Sequence, residues 1–138
     1  MSICLSLDEV QALALRRLCD SGADPGQAGP VARSMRAAER DGVRSHGLMY
    51  LPVYAEHLTC GKVDGRAQPR LSQPRAGAVL VDAAHGFAHP AIDLGLPPLI
   101  AAARECGIAA LTLAIALIIL RVFGVISTKP VSRNLHVH

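Results

Sequence analysis

Tryptophan is absent from this 138-residue chain, and two Tyr and two Phe are its only aromatics. The 14 Lys and Arg are scattered and the formal net charge is only +3. A nucleic-acid module more often shows a basic stripe or stacking aromatics, so no nucleic-acid partner is expected. No C-x-x-C pair occurs; Cys4, Cys19, Cys60 and Cys106 lie far apart. That spacing argues against a zinc ribbon and indicates no disulfide framework. The start, Met1 to Glu9, lacks the basic opening and long apolar stretch of a signal peptide. Cytoplasmic residence with reduced thiols is the expectation. No internal repeat or low-complexity segment stands out. What is present is apolar: 51% of residues are hydrophobic and 18% charged, which excludes a disordered chain. The length suits one domain with a single core.

Local signals divide the chain. Ser6-Leu7-Asp8-Glu9 has the form of a capping box. Val10, Leu13, Ala14, Arg17 and Leu18 then share one helical face, until Gly22 ends the pattern. Asp24-Pro25 opens a second helix, lined by Ala28, Val31, Ala32 and Met35 and closed by Gly42. Leu51, Tyr54, Ala55 and Leu58 predict a short third helix, with Pro52 near its start and Gly61 as its stop. Residues 62–77 read as a loop rich in Gly, Pro, Gln and Arg. Ala78–Asp82 predicts a strand, followed by a turn carrying Gly and His. Pro97-Pro98 opens a further helix that runs to about Glu105. Ile108–Ile115 reads as a buried strand. Beyond it the chain stays apolar to Leu120, meets Arg121, and ends in a polar tail.

The strongest chemistry lies in Ala38-Glu39-Arg40-Asp41-Gly42-Val43-Arg44-Ser45-His46-Gly47. A His in a Gly-bounded turn after a helix is free to face a cleft, and imidazole titrates near neutral pH. The Ser45 hydroxyl can orient that ring, and Arg44 offers a bidentate fork to a carboxylate. The plainer reading is an exposed loop His beside a helix stop. Other positions carry weaker signals. His85 and His89 are four apart, but Gly86 and Pro90 argue for a turn rather than a metal-binding helix face. Asp82 at a strand end suits a turn cap. His57 falls on the third helix, and the cysteines suit packing or surface positions. No metal site is expected.

The same stretch resembles the malate/L-lactate dehydrogenase family of the second type, which includes ureidoglycolate, diketogulonate and piperideine-carboxylate oxidoreductases. The resemblance rests on Ala38, Glu39, Gly42, Ser45, His46, Gly47, Leu48, Leu51, Pro52, Tyr54 and Gly61. It continues through Lys62-Val63, Val81-Asp82, Gly86-Phe87, Ala101–Ala103 and Gly107–Ala109, covering roughly residues 6–115 in order. It implies an NAD(P)-dependent oxidoreductase of 2-hydroxy and 2-oxo acids, in which nicotinamide carries the hydride. His46 would then exchange a proton with the substrate oxygen, and Ser45 would support it. The family does not use the Rossmann fold, and this chain has no G-x-G-x-x-G. The expected architecture is therefore α+β and non-Rossmann: N-terminal helices over 1–62, then the first strands of a mixed sheet over 63–115. The resemblance also implies a homodimer in full-length members, to which the N-terminal helices often contribute.

Two departures bear on the site. Tyr50 stands where many members carry an Arg that holds the substrate carboxylate; it can donate a hydrogen bond but brings no charge. Ala88 stands where many have a second Gly. The largest departure follows Ile115, where members continue with Ser-His-(His/Asn)-x-Gly from the cofactor pocket. This chain has Ala116-Leu117-Ile118-Ile119-Leu120, so the cofactor-binding residues are unassigned. A reading-frame change near residue 115 is the expectation for 116–138, making the chain an incomplete member. Ser-His-His in an alternative frame of the coding DNA is the result that supports it. Two rival readings stand beside the enzyme: an inactive dimerisation fragment, and a small protein anchored in a membrane by residues 108–126. The anchor is disfavoured because the unbroken apolar run is short and Arg121 interrupts it.

Overall fold

The computed structural model describes residues 4–115. Its elements, in order, are α1 (Leu7–Asp20), α2 (Pro25–Arg40), α3 (Leu51–Thr59), β1 (Arg70–Arg75), β2 (Ala78–Asp82), α4 (Ala88–Cys106) and β3 (Ala110–Ala114). Two short 3₁₀ turns, Arg44–His46 and Leu48–Tyr50, join α2 to α3. The fold is α+β, with a three-stranded mixed sheet in the order β1-β2-β3. β1 pairs antiparallel with β2, and β2 runs parallel to β3.

The helical starts follow from their caps. Ser6 Oγ accepts from Glu9 N, and Glu9 Oε2 accepts in return from Ser6 N at 2.7 Å. Asp24 Oδ1 accepts from Gln27 N at 2.8 Å, ahead of Pro25. Val10, Ala14 and Leu18 of α1 are buried, as are Ala28, Val31, Ala32 and Met35 of α2. These two faces meet in the larger core, which Leu51 and Leu58 of α3, Val63 and Phe87 complete. A smaller core holds Val79, Val81, Ala83 and Ala91 between sheet and α4, with Leu99, Leu111 and Leu113 packed around it.

Three expectations need correction. The loop expected over 62–77 contains β1. All six of its residues are exposed, so it carries no alternating apolar signal. Pairing with β2, Arg70 opposite Asp82 and Leu71 opposite Val81, is what makes it a strand. Second, α4 begins at Ala88 rather than Pro97. Pro90 lies in its first turn, where the missing N–H would be unpaired in any case. Pro97 and Pro98 sit mid-helix on a side where Asp93 and Leu94, whose carbonyls they leave free, face solvent. Burial of Pro90, Ala91, Gly95 and Ala102 against the sheet offsets that loss. Gly95 permits the approach: a Cβ there would lie 2.7 Å from Leu111 Cδ1 and 2.9 Å from Val81 Cγ2. Third, β3 is a strand but not a buried one. Its residues alternate between exposed and half-buried, because α4 covers only one face.

Asp82 does cap the turn after β2, accepting from Ala84 N at 2.8 Å. His85 lies in that turn and His89 in the first turn of α4, so the pair does not share a helix face. No helix among the described residues is long and apolar enough to cross a membrane. Residues 108–115 of the proposed anchor belong to the β3 segment, and 116–126 lie outside the described residues, as does the stretch assigned to a frame change.

Candidate active site

The site grows from the end of α2. Asp41 closes the helix, Gly42 takes the left-handed conformation at φ +72, and Val43 N bonds back to Ala38 O at 2.8 Å. The chain then turns through Arg44–His46. Ser45 Oγ lies 3.0 Å from His46 Nδ1. If the hydroxyl donates, Nε2 carries the ring proton; if Nδ1 donates, Nε2 is the free base. Either way Ser45 occupies one ring nitrogen and leaves the other for a ligand. Arg44, Ser45 and His46 are all exposed.

Glu39 holds this turn from below. Its Oε1 accepts from Leu48 N at 2.7 Å, nine residues on, and so caps the second 3₁₀ turn. Gly47 is buried beside it; a Cβ there would fall inside the Glu39 carboxylate and 2.9 Å from its Cγ. Gly47→Ala must therefore expel the Glu39 side chain and its charge-assisted bond. A destabilisation of about 2 kcal/mol is expected. In a Glu39→Ala background the same change should cost at least ~1 kcal/mol less. Urea unfolding of the four chains gives the cycle, and strictly additive costs would refute the contact.

Tyr50 ends the second turn and is 40% exposed, while its ring meets Tyr54 edge-to-face at 4.9 Å. Tyr54 of α3 in turn meets Phe87 at 5.4 Å and His89 at 5.9 Å. An aromatic ladder thus ties the turn to the start of α4. Burial raises the Tyr54 phenol, so that hydroxyl stays protonated at neutral pH. Burial lowers His89, against the opposing pull of the Asp93 carboxylate, and its Nδ1 has no hydrogen-bond partner. Stability from neutral His89 is fully present above its ordinary value of 6.5 and is lost as pH falls below it. The unfolded chain then binds a proton that the folded chain resists. Tm is expected to drop between about pH 7.5 and 5.5, and by less in His89→Phe. An equal drop in both chains would contradict this.

The structure holds the adjacent Ser45 and His46 in one turn. The sequence shows Glu39 only as a motif residue without its bond to Leu48, and gives no sign of the ladder. Gln27 is buried, donating from Nε2 to Ala67 O at 2.6 Å and accepting from Phe87 N at Oε1 at 2.9 Å. Its signal was available: Gln27, Val31 and Met35 recur every fourth residue, so a polar side chain lies in an otherwise apolar stripe. A groove of about 490 Å³ lies between α1 and α3, with Leu13, Arg17, Leu51 and Glu56 in its lining.

Residues 5–116 match the family described as malate/L-lactate dehydrogenase. The chain belongs to that family. It is 43% identical over 109 residues to a Delta(1)-pyrroline-2-carboxylate reductase of Ancylobacter novellus, covering 79% of this chain and 32% of that one. It is 43% identical over 114 residues to a (2R)-3-sulfolactate dehydrogenase (NADP(+)) of Chromohalobacter salexigens, covering 82% and 34%. Among solved structures it is similar to the delta1-piperideine-2-carboxylate reductase of Pseudomonas syringae pvar. tomato. The TM-score there is 0.78 at 36% identity, over 81% of this chain and 34% of that one. The chain thus spans about a third of the length of these relatives. The turn Ser45-His46-Gly47 lies inside the matched region.

Ser45 and His46 stand exposed, and the α1–α3 groove is lined by neither. The turn can offer proton exchange and, through Arg44, a cation.

Proposed function

We propose that this chain carries the proton-transfer portion of an NAD(P)-dependent oxidoreductase site for small 2-oxo and 2-hydroxy acids, with cyclic imino acids as the neighbouring substrate class. The carrying observation is the 3.0 Å contact between Ser45 Oγ and His46 Nδ1, on a turn braced by Glu39. His46 acts as general acid toward the substrate oxygen or nitrogen during reduction and as base in the reverse direction. Ser45 fixes the ring and its tautomer. Arg44 supplies charge for the carboxylate, and Tyr50 supplies a hydroxyl donor. The imino-acid class is named because two of the relatives above bear reductase names of that kind.

The test is consumption of NADPH or NADH by the purified chain with 2-oxo acids and with Delta(1)-pyrroline-2-carboxylate. Turnover with either class supports the reading. The chain's short span against its relatives favours a second reading, a dimerisation fragment without catalysis. Absence of both turnover and calorimetric binding of either nucleotide selects that second reading.

A further inference from the structure

Tyr50 follows His46 by one helical turn of sequence and ends the turn segment. Its backbone is fixed: Tyr50 N donates to Gly47 O at 3.0 Å and closes the second 3₁₀ turn. Its side chain is not tied in the same way, since it makes no capping bond to α3. A half-exposed aromatic on a short turn is free to move among staggered rotamers unless a neighbour selects one. The neighbour here is Tyr54, whose ring meets that of Tyr50 at 4.9 Å and 78°.

Tyr54 is itself anchored on its other side. It is half-buried and packs on the larger core. Phe87 meets it at 5.4 Å and 80°, and His89 at 5.9 Å and 89°. Phe87 is buried, and its N–H is held by Gln27 Oε1 of α2. His89 lies in the first turn of α4, where Asp93, one turn further on, pairs with Arg33 of α2. Tyr54 therefore rests on groups fastened to α2, the helix that also delivers Glu39 and the Ser45-His46 turn. The two phenols are close enough to interact: after burial, the Tyr50 charge is the second cause that raises the Tyr54 phenol.

We infer that Tyr54 is a positioning residue, which fixes the Tyr50 ring and so aims the Tyr50 hydroxyl before substrate arrives. The inference rests on the proposed function, in which that hydroxyl donates to the substrate. Edge-to-face contact selects a ring orientation, so it can hold Tyr50 without a hydrogen bond. A phenol carries one donor and no charge at neutral pH, and its use depends on direction. A donor ordered in the free protein also spares the ordering cost that a loose side chain meets on binding. Loss of that order weakens binding, so KM moves and kcat does not.

Tyr50 can be observed alone, because the chain has two tyrosines and no tryptophan. In Tyr54→Phe the ring is kept, so Tyr50 should retain a near-ultraviolet circular dichroism band and KM for Delta(1)-pyrroline-2-carboxylate should stay near the wild-type value. In Tyr54→Leu the Tyr50 band should collapse. KM should rise roughly two- to tenfold while kcat holds. In a Tyr50→Phe background the same leucine should leave KM unchanged, whereas a merely structural loss would raise it in both backgrounds. Tyr54→Met, which fills the core without a ring, carries the test if the leucine chain does not fold. A Tyr50 band that survives loss of the Tyr54 ring would overturn the inference, with or without turnover. A collapsed band with unchanged KM would overturn it equally. Absence of turnover in the wild-type chain is instead a failure of the proposed function, and the calorimetric dissociation constant of the same acid then replaces KM in each comparison. A wild-type chain that neither turns over nor binds the acid would overturn both.

Discussion

Replacing His46 by alanine is expected to lower kcat for reduction of a 2-oxo or cyclic imino acid by about 10²–10⁴-fold, with little change in KM. The reasoning is geometric. Ser45 Oγ holds Nδ1 at 3.0 Å, so only Nε2 is left to deliver the proton. Alanine removes the only titrating group of the turn Ser45-His46-Gly47 and leaves Arg44 available for substrate binding. His46→Gln should be no better than alanine, because an amide can hydrogen-bond but cannot cycle a proton. Ser45→Ala should cost less, about tenfold, since a single orienting bond is lost. Its pH–rate profile should also move, because the hydroxyl biases the ring's tautomer. Steady-state kinetics across pH checks all three variants. A His46→Ala chain that keeps most of its wild-type kcat would remove His46 from the mechanism.

Gln27→Leu is expected to destabilise the fold by about 2–5 kcal/mol. Leucine preserves the volume, so the loss isolates the hydrogen bonds. It leaves Phe87 N–H and Ala67 C=O, both in buried residues, without a partner. Water cannot take the place of the amide easily. The site is tight: a Cβ on Gly86 would lie 2.7 Å from Gln27 Oε1 and 2.8 Å from Ala67 Cβ. Gln27→Glu separates the two bonds. The carboxylate can still accept from Phe87 N–H but meets the Ala67 carbonyl oxygen without a proton between them. Burial raises the pKa of the introduced carboxyl, so its neutral form persists above the unfolded value and its stabilisation is full below that value. Stability of Gln27→Glu should then fall as pH rises through the raised folded pKa, while Gln27→Leu shows no such step. Urea unfolding with unchanged m-values measures both. A cost below ~1 kcal/mol for Gln27→Leu would show that the backbone groups find other partners.

Gln27 joins three segments that the sequence shows only as separate signals. It sits on α2, its donor reaches a carbonyl 40 residues on, and its acceptor serves an N–H 60 residues on. The aromatic ladder has the same character. Tyr50 and Tyr54 are one turn apart and legible as neighbours, but their link to Phe87 and His89 spans more than 30 positions. Glu39 lies between these cases. It belongs to the motif that carried the family resemblance, yet its bond to Leu48 N becomes visible only in the folded turn.

The sequence by itself determined the starts of α1 and α2, the helix faces of both, the strand β2 and the Ser45-His46 turn. Each depends on residues within a few positions, where capping bonds, side-chain periodicity and glycine stops act directly. It also carried the family, because the ordered motif spans the matched region. Tertiary structure decided the rest. β1 exists through pairing with β2, since its own residues have no buried face. α4 continues past Pro97 and Pro98 because packing of Ala91, Gly95 and Ala102 outweighs two missing backbone donors. The apolar character of β3 suggested burial, but burial is a property of what covers a strand. Among the described residues only α4 does so, and the other face and outer edge of β3 remain open.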